Sequence, residues 1–74
     1  DSKAEAVEFI VKESSEITDI PLKDLQLKDN LLVSLICRNG NIIFPSGADS
    51  IQVGDTVMIV TTHTGFSSIQ DILK

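Results

Sequence analysis

Apolar and polar residues alternate along several stretches of the chain with the period of two that is typical of half-buried β-strands. In the first stretch Val7, Phe9 and Val11 share one side. A helix is the competing interpretation there, but β-branched and aromatic residues favour a strand. The last stretch is apolar on most of both sides, as expected of a central strand. Altogether the pattern predicts strands over residues 6–12, 31–38, 41–44 and 56–62.

Asn39-Gly40 separates two of these strands and predicts a β-hairpin with a two-residue type I′ turn. The turn pairs Arg38 with Asn41, Cys37 with Ile42, Ile36 with Ile43, and Leu35 with Phe44. Strict alternation then assigns to the core face Leu31, Val33, Leu35, Cys37, Ile42 and Phe44. The opposite face, which is too apolar for bulk water and too polar for a sealed interior, receives Leu32, Ser34, Ile36, Arg38, Asn41, Ile43 and Pro45.

Two segments outside the predicted strands have helical spacing. Pro21–Leu25 predicts one short turn whose two leucines dock on the sheet. After the last strand the period changes, and Thr64 is predicted to cap a short amphipathic helix that closes the domain. The apolar stripe of this helix consists of Phe66, Ile69, Ile72 and Leu73. This order of elements is typical of an α+β domain with a small antiparallel or mixed sheet.

Chain length and composition indicate a single domain over residues 1–74. A chain of this size buries only about 60% of the surface of its unfolded state. Phe is its only aromatic residue type besides the single histidine, so the core must be built from aliphatic side chains. We therefore expect support from self-association or from a longer parent chain. The sequence starts at Asp1 rather than Met, which also suggests a piece of a longer protein.

Net charge and apolar run length exclude two classes of partner. A formal net charge of −5 and a pI near 4.5 argue against nucleic-acid binding, because duplex recognition usually requires a basic stripe. No apolar run approaches the roughly 20 residues that span a bilayer, so we expect no direct membrane insertion. The lone cysteine cannot form an internal disulfide and suits a reducing compartment. A cytoplasmic location is therefore expected.

Residues that commonly catalyse reactions or bind metals are sparse. Cys37 and His63 could form a nucleophile and its base, but Cys37 falls in the predicted core-facing row, where a thiol behaves as a small hydrophobe. His63 falls at the end of the last strand, where a solvated or capping role is expected. The carboxylates are scattered over turns and connectors, and Asp55 is predicted to be a turn residue. We therefore expect no enzymatic activity, no metal site and no cofactor.

Arg38 is the residue with the clearest potential for binding. It shares its predicted face with Leu32, Ile36, Ile43 and Pro45, which places one cation beside a shallow apolar floor. A guanidinium grips phosphate and stacks on flat rings, so this face suits a small anionic ligand with a planar group. The simpler alternative is that Leu32, Ile36 and Ile43 are buried against a second copy of the chain. Both can hold, because a two-fold interface often contains a pocket.

Four motifs stand out together along the chain: Pro21-Leu22-x-x-Leu25, Leu35 to Gly40, Ile43-Phe44-Pro45-x-Gly47, and Gly54 to Val57. In this combination they resemble the C-terminal RCK domain, also called the TrkA-C domain, of potassium transport regulators. The resemblance implies a β-X-β2-X-β-α pseudo-barrel with a capping helix, and a homodimer. Such domains act as regulatory, ligand-sensing modules that follow a nucleotide-binding domain or hang from a transporter or a transcription factor. A membrane transport subunit would then be reached through the parent protein.

The resemblance also implies a ligand, since some members of this family bind cyclic di-AMP in the cleft between two copies. By matching position, Arg38 would meet phosphate, and the base pockets would be lined by Leu32, Val33, Phe44 and Pro45. With Ile43 from the face described above, these residues form the predicted ligand site. The resulting hypothesis is a non-enzymatic regulatory domain of a bacterial potassium, or other cation, transport protein that dimerises through its sheet. The alternatives are a purely structural dimerisation module and the ligand-sensing domain of a transcription regulator.

Overall fold

The computed structural model describes residues 3–74 and contains one antiparallel sheet of four strands. The strands are β1 (Glu5–Ile10), β2 (Leu31–Arg38), β3 (Asn41–Ile43) and β4 (Thr56–Thr61). Their order in the sheet is β1-β4-β2-β3. Helical structure in the described part of the chain is limited to two 3₁₀ turns, Leu22–Asp24 and Ile69–Ile72. The prediction of a small antiparallel sheet is confirmed.

β4 lies at the centre of the sheet, as its apolar pattern predicts. It pairs with β1 on one side and with β2 on the other, both antiparallel. Its core-facing residues Val57 and Ile59 are fully buried and stand opposite Phe9 and Val7 of β1. The alternation predicted for β1 is confirmed, because Val7 and Phe9 are half-buried between exposed neighbours.

The β2–β3 hairpin has the predicted turn. Asn39 and Gly40 have φ values of 52° and 79°, the pair of positive angles that defines a type I′ turn. The predicted pairs of Arg38 with Asn41, Cys37 with Ile42 and Ile36 with Ile43 are confirmed. The fourth predicted pair lies outside the ladder, because β3 ends at Ile43.

A β-bulge at Ser34 changes which residues of β2 face the core. Val33 pairs with Ile59 and Leu35 with Met58, so Ser34 is an extra residue in β2 and has no counterpart in β4. Its hydroxyl donates a hydrogen bond to the Met58 carbonyl at 3.0 Å. An extra residue shifts the period of two by one position, so side chains after the bulge point to the opposite face from the one that strict alternation predicts.

The predicted faces are therefore correct before the bulge and wrong after it. Val33 is buried as expected, but Ile36 is also fully buried and Ile43 packs against the same core. The residues wrongly assigned to the core face are Leu35, Cys37, Ile42 and Phe44. Of these, Ile42 is 61% exposed and Phe44 79% exposed. The cysteine is half-buried on the same side of the sheet as Ile42.

The core is thin and aliphatic, as composition predicts. Its buried members are Val11, Ile17, Leu22, Val33, Ile36, Ile51, Val57, Ile59, Ile69 and Ile72. The segment between β1 and β2 contributes three of them, Val11, Ile17 and Leu22, and is held by isolated bridges from Thr18 to Ile51 and from Pro21 to Ser50. The predicted turn after Pro21 is confirmed as a 3₁₀ turn with Leu22 buried.

The predicted C-terminal helix is wrong. Only one 3₁₀ turn forms, and Ser68 rather than Thr64 is its N-cap residue. The Asp71 carboxylate accepts hydrogen bonds from the Ser67 and Ser68 N–H groups, at 2.7 and 3.0 Å. After this turn the chain becomes extended, since Leu73 forms a bridge with Leu27. The C-terminal segment therefore hydrogen-bonds to the segment between β1 and β2 with backbone groups that a longer helix would need.

Candidate functional site

Arg38, the predicted phosphate ligand, forms a bidentate salt bridge with Asp55. Its Nε donates to Asp55 Oδ1 and its Nη2 to Oδ2, both at 2.9 Å. Nη2 also donates to the Ser50 carbonyl at 2.9 Å, and Asp55 Oδ2 accepts the Gln52 N–H at 2.8 Å. The Asp55 side chain is 1% exposed and that of Arg38 28%. Asp55 is thus a turn residue, as predicted, whose buried carboxylate also holds residues 50–55 in place through its hydrogen bonds.

The salt bridge favours the charged form of both partners. Burial opposes ionisation of Asp55, but the hydrogen bonds from Arg38 and from the Gln52 N–H outweigh it and lower the pKa of this carboxyl. The hydrogen bond to Asp55 raises the pKa of Arg38, against a smaller effect of burial. Both groups are therefore charged at neutral pH, and the pair ties the end of β2 to the turn before β4.

A cavity of about 230 Å³ lies between the first 3₁₀ turn, the start of β2 and the segment after β3. We call it the Pro45 cavity, and its lining consists of Leu22, Lys23, Leu27, Leu31, Leu32, Val33, Pro45, Ser46 and Gly47. The lining is mostly apolar, with one lysine and one serine at its polar side. Two larger cavities have more polar linings. One is lined by residues 9–13 and 67–70, and the other mainly by residues 30–32 and 60–62.

Backbone contacts fix the wall of the Pro45 cavity. The Lys23 N–H donates to the Gly47 carbonyl at 2.9 Å, and the Leu22 N–H donates to the Asp49 carbonyl at 2.8 Å. A Cβ atom on Gly47 would lie 3.1 Å from the Lys23 Cβ. Glycine at this position therefore allows the segment after β3 to approach the 3₁₀ turn closely.

The structure brings together three of the six predicted ligand residues. Leu32, Val33 and Pro45 line the Pro45 cavity, whereas Arg38, Ile43 and Phe44 lie outside its lining. The other lining residues were not predicted from the sequence; they are Leu22, Lys23, Leu27, Leu31, Ser46 and Gly47. The available signal was the predicted docking of the Pro21 turn on the sheet, which brings Leu22 and Lys23 next to the start of β2.

A second candidate surface is the face of the sheet turned away from the core, which we call the outer face. Register places on it Leu32, Leu35, Cys37, Ile42, Met58 and Val60. Leu32 and Ile42 are each 61% exposed. Of the predicted interface residues, Leu32 lies on this face, while Ile43 packs on the opposite side against the core. Ile36 is fully buried within the chain, so none of its side chain is exposed for the predicted contact with a second copy.

The remaining reactive side chain, His63, has local partners. Its ring is stacked at 6.3 Å from the Phe66 ring, and its Nε2 lies 2.7 Å from the Asp29 carbonyl. Within residues 3–74, no group of three or more His, Cys, Asp or Glu side chains is arranged to hold a metal ion. The same residues contain no helix long and apolar enough to cross a membrane.

Comparison with known proteins gives one consistent result. Residues 6–74 match the family model of the TrkA-C domain. The chain is 31% identical over 72 residues to a Trk system potassium uptake protein TrkA homolog from Pyrococcus abyssi, covering 96% of this chain and 32% of that protein. It is 37% identical over 59 residues to a protein of the same name from Archaeoglobus fulgidus, covering 80% of this chain and 14% of that protein. The chain therefore spans a third or less of the length of these relatives.

Proposed function

Because this chain belongs to the TrkA-C domain family, we propose that it is a regulatory domain of a potassium uptake protein. The family match over residues 6–74 is the observation that carries the proposal, together with relatives named as potassium uptake proteins. The domain acts in the cytoplasm without catalysing a reaction, and it reaches a membrane transport subunit through its parent protein.

Potassium uptake by a chimera tests this proposal. In the chimera, this chain replaces the matching region of the Pyrococcus abyssi homolog. In cells that lack their own regulator, we expect it to restore uptake that a version without the domain does not restore. Equal uptake with and without the domain would refute a regulatory role.

The domain is proposed to dimerise through its outer face. An uncovered apolar sheet face is unfavourable in water, and two copies related by a two-fold axis can cover it with the same residues. Leu32 and Ile42 supply exposed apolar area, and Leu35, Cys37 and Met58 connect them across β2 and β4. Ile43, by contrast, contributes to the core and would affect the dimer only indirectly.

Sedimentation of two charge variants tests the dimer. Ile42→Glu places two carboxylates in the interface and is expected to convert the dimer to a monomer. The matched control is Val53→Glu, because Val53 is 51% exposed but lies in the turn before β4. If Ile42→Glu and Val53→Glu sediment alike, the outer face is not the interface.

The Pro45 cavity is proposed to hold part of a small anionic nucleotide such as cyclic di-AMP. Its apolar lining suits a flat base, and it opens beside Leu32, which also belongs to the outer face. A ligand that binds only the folded state raises the melting temperature. We expect cyclic di-AMP to stabilise the wild type by several degrees. If saturating nucleotide leaves the melting temperature of the dimer unchanged, the domain is a structural dimerisation module.

A further inference from the structure

We infer that Lys23, rather than Arg38, supplies the positive charge that meets the phosphate of a ligand in the Pro45 cavity. The inference rests on the ligand binding proposed above and assigns the residue that recognises the anion. It departs from the sequence-based expectation, which gave this role to Arg38. The two residues differ in what their charged groups already contact.

The guanidinium of Arg38 already makes hydrogen bonds within the protein. Its Nε and Nη2 make three hydrogen bonds, two to Asp55 and one to the Ser50 carbonyl. If Arg38 turned toward a ligand, the Asp55 carboxylate would stay buried with only the Gln52 N–H as a partner. A buried carboxylate that loses its cation is strongly destabilising. A phosphate that took Nε or Nη2 of Arg38 would therefore cost stability before any net binding was gained. The remaining nitrogen, Nη1, belongs to a residue that lies outside the lining of the Pro45 cavity.

The Lys23 ammonium forms no salt bridge with the residues that the structure describes. The salt bridge among those residues joins Arg38 to Asp55, and the Lys23 side chain is exposed to solvent. The lining of the Pro45 cavity contains one ionisable side chain, and it is Lys23. A lysine ammonium carries three donors and is positively charged at neutral pH. It can therefore contact an anion without giving up a partner in the protein.

The backbone holds Lys23 at the rim of the cavity. Its N–H is bonded to the Gly47 carbonyl, and the close approach of Gly47 to its Cβ fixes where the side chain begins. Asp49, the carboxylate of this loop, accepts hydrogen bonds from the Ser46 N–H at 2.8 Å and from the Ser46 hydroxyl at 3.3 Å. Arg38 acts on the site at a distance, by fastening the Ser50 carbonyl and the turn that follows the cavity wall.

Binding of labelled cyclic di-AMP to Lys23→Gln tests the inference. One lost charge-assisted contact is expected to weaken binding about tenfold. The matched control is Lys12→Gln, since Lys12 is also exposed and borders a different cavity. It should bind like the wild type. If Lys23→Gln binds as tightly as Lys12→Gln, the inference is wrong, whereas a wild type that does not bind removes the ligand proposal and this inference with it.

The salt dependence of binding separates Lys23 from Arg38. Salt screens the attraction between an exposed ammonium and a phosphate. We therefore expect the affinity of the wild type to fall with added salt and that of Lys23→Gln to fall much less. Arg38→Gln should be less stable but keep the salt dependence of the wild type. Loss of that dependence in Arg38→Gln, with retention in Lys23→Gln, would overturn the inference and return the phosphate contact to Arg38.

Discussion

Arg38 and Asp55 show how one buried carboxylate can organise a loop. The carboxylate accepts from Arg38 at the end of β2 and from the Gln52 N–H in the turn before β4. Bidentate pairs of this kind are more geometrically specific than single contacts. Because Arg38 also bonds the Ser50 carbonyl, the guanidinium joins the end of β2 to both ends of residues 50–55. Its main role in the isolated chain is therefore structural.

Removal of Arg38 should destabilise the domain. Arg38→Ala leaves the Asp55 carboxylate buried without its cation, and we expect the free energy of unfolding to fall by about 3 kcal/mol. Urea denaturation followed by circular dichroism measures this change. Asp55→Ala in the Arg38→Ala background should cost little more, because the two residues act as one unit. Additive losses in the double variant would show that the pair is not coupled.

The pH dependence of stability follows from the lowered pKa of Asp55. A carboxyl whose pKa is lower in the folded state stabilises the protein above its ordinary pKa and loses this contribution as the pH falls through the lowered value. We therefore expect stability to fall as the pH drops below about 3.8, the ordinary value. Asp55→Asn should show a shallower loss over the same range in acid titrations of urea midpoints. An identical slope would mean that other carboxyls dominate.

At the scale of elements, the bulge in β2 decides which surface each residue joins. Ser34 adds one residue without a partner in β4, so Val33 and Ile36 both face the core although three positions separate them. Leu35 and Cys37 consequently move to the outer face with Leu32 and Ile42. One extra residue thus moves a row of apolar side chains from the core to a surface open to a partner.

Neighbouring residues after the bulge should respond differently to truncation. Ile36 is fully buried, and Ile36→Ala is expected to cost about 2–5 kcal/mol. Leu35 is only half-buried, and Leu35→Ala should cost about 1 kcal/mol. Both are measured by urea denaturation in the Ile42→Glu background, so that association does not contribute. A larger loss for Leu35→Ala would place the bulge elsewhere.

Elements carried by local signals could be predicted from the sequence. Asn39-Gly40 set the hairpin register, and the apolar run after Asp55 identified β4 as central. The bulge could not be predicted, because a period of two fits residues 31–38 equally well with or without an extra residue. The C-terminal helix was predicted from apolar spacing, but Ile69 and Ile72 are also compatible with a 3₁₀ turn, and the pairing of Leu73 with Leu27 is a long-range contact.

The candidate site was predictable only in part. Leu32, Val33 and Pro45 were carried over from a family resemblance and line one cavity. Lys23 was missed because its neighbourhood depends on the approach of Gly47 to the 3₁₀ turn, which no short motif encodes. The partner of Arg38 was also missed, because Asp55 is 17 residues away in sequence and is brought close by the β2–β4 ladder.

At the scale of the whole molecule, the two faces of the sheet differ in burial and in structural role. The inner face forms the thin aliphatic core that the fold requires. The outer face keeps large apolar side chains, including Leu32 and Ile42, in contact with solvent in the single chain. A domain of this size has little stability to spare. Covering the outer face with a second copy would add apolar burial that one chain cannot supply.

Cys37 can report on this association, because it lies half-exposed on the outer face beside Ile42. We expect its alkylation by iodoacetamide to be several-fold slower at concentrations where the wild type is dimeric than in dilute solution. Ile42→Glu should alkylate at the fast rate at every concentration, and Val53→Glu should follow the wild type. A rate independent of concentration in the wild type would place the interface away from Cys37.

The position of β1 at an edge of the sheet has a mechanical consequence. Glu5 pairs with Thr61 at one end of the antiparallel β1–β4 ladder and Ile10 with Thr56 at the other. A pull applied before Glu5 and resisted beyond Thr61 acts on the same end of the ladder, so it loads the pairs one after another. β1 would then peel away at low force while the β2–β4 ladder stays closed. We therefore expect β1 to be the first strand to separate under such a load.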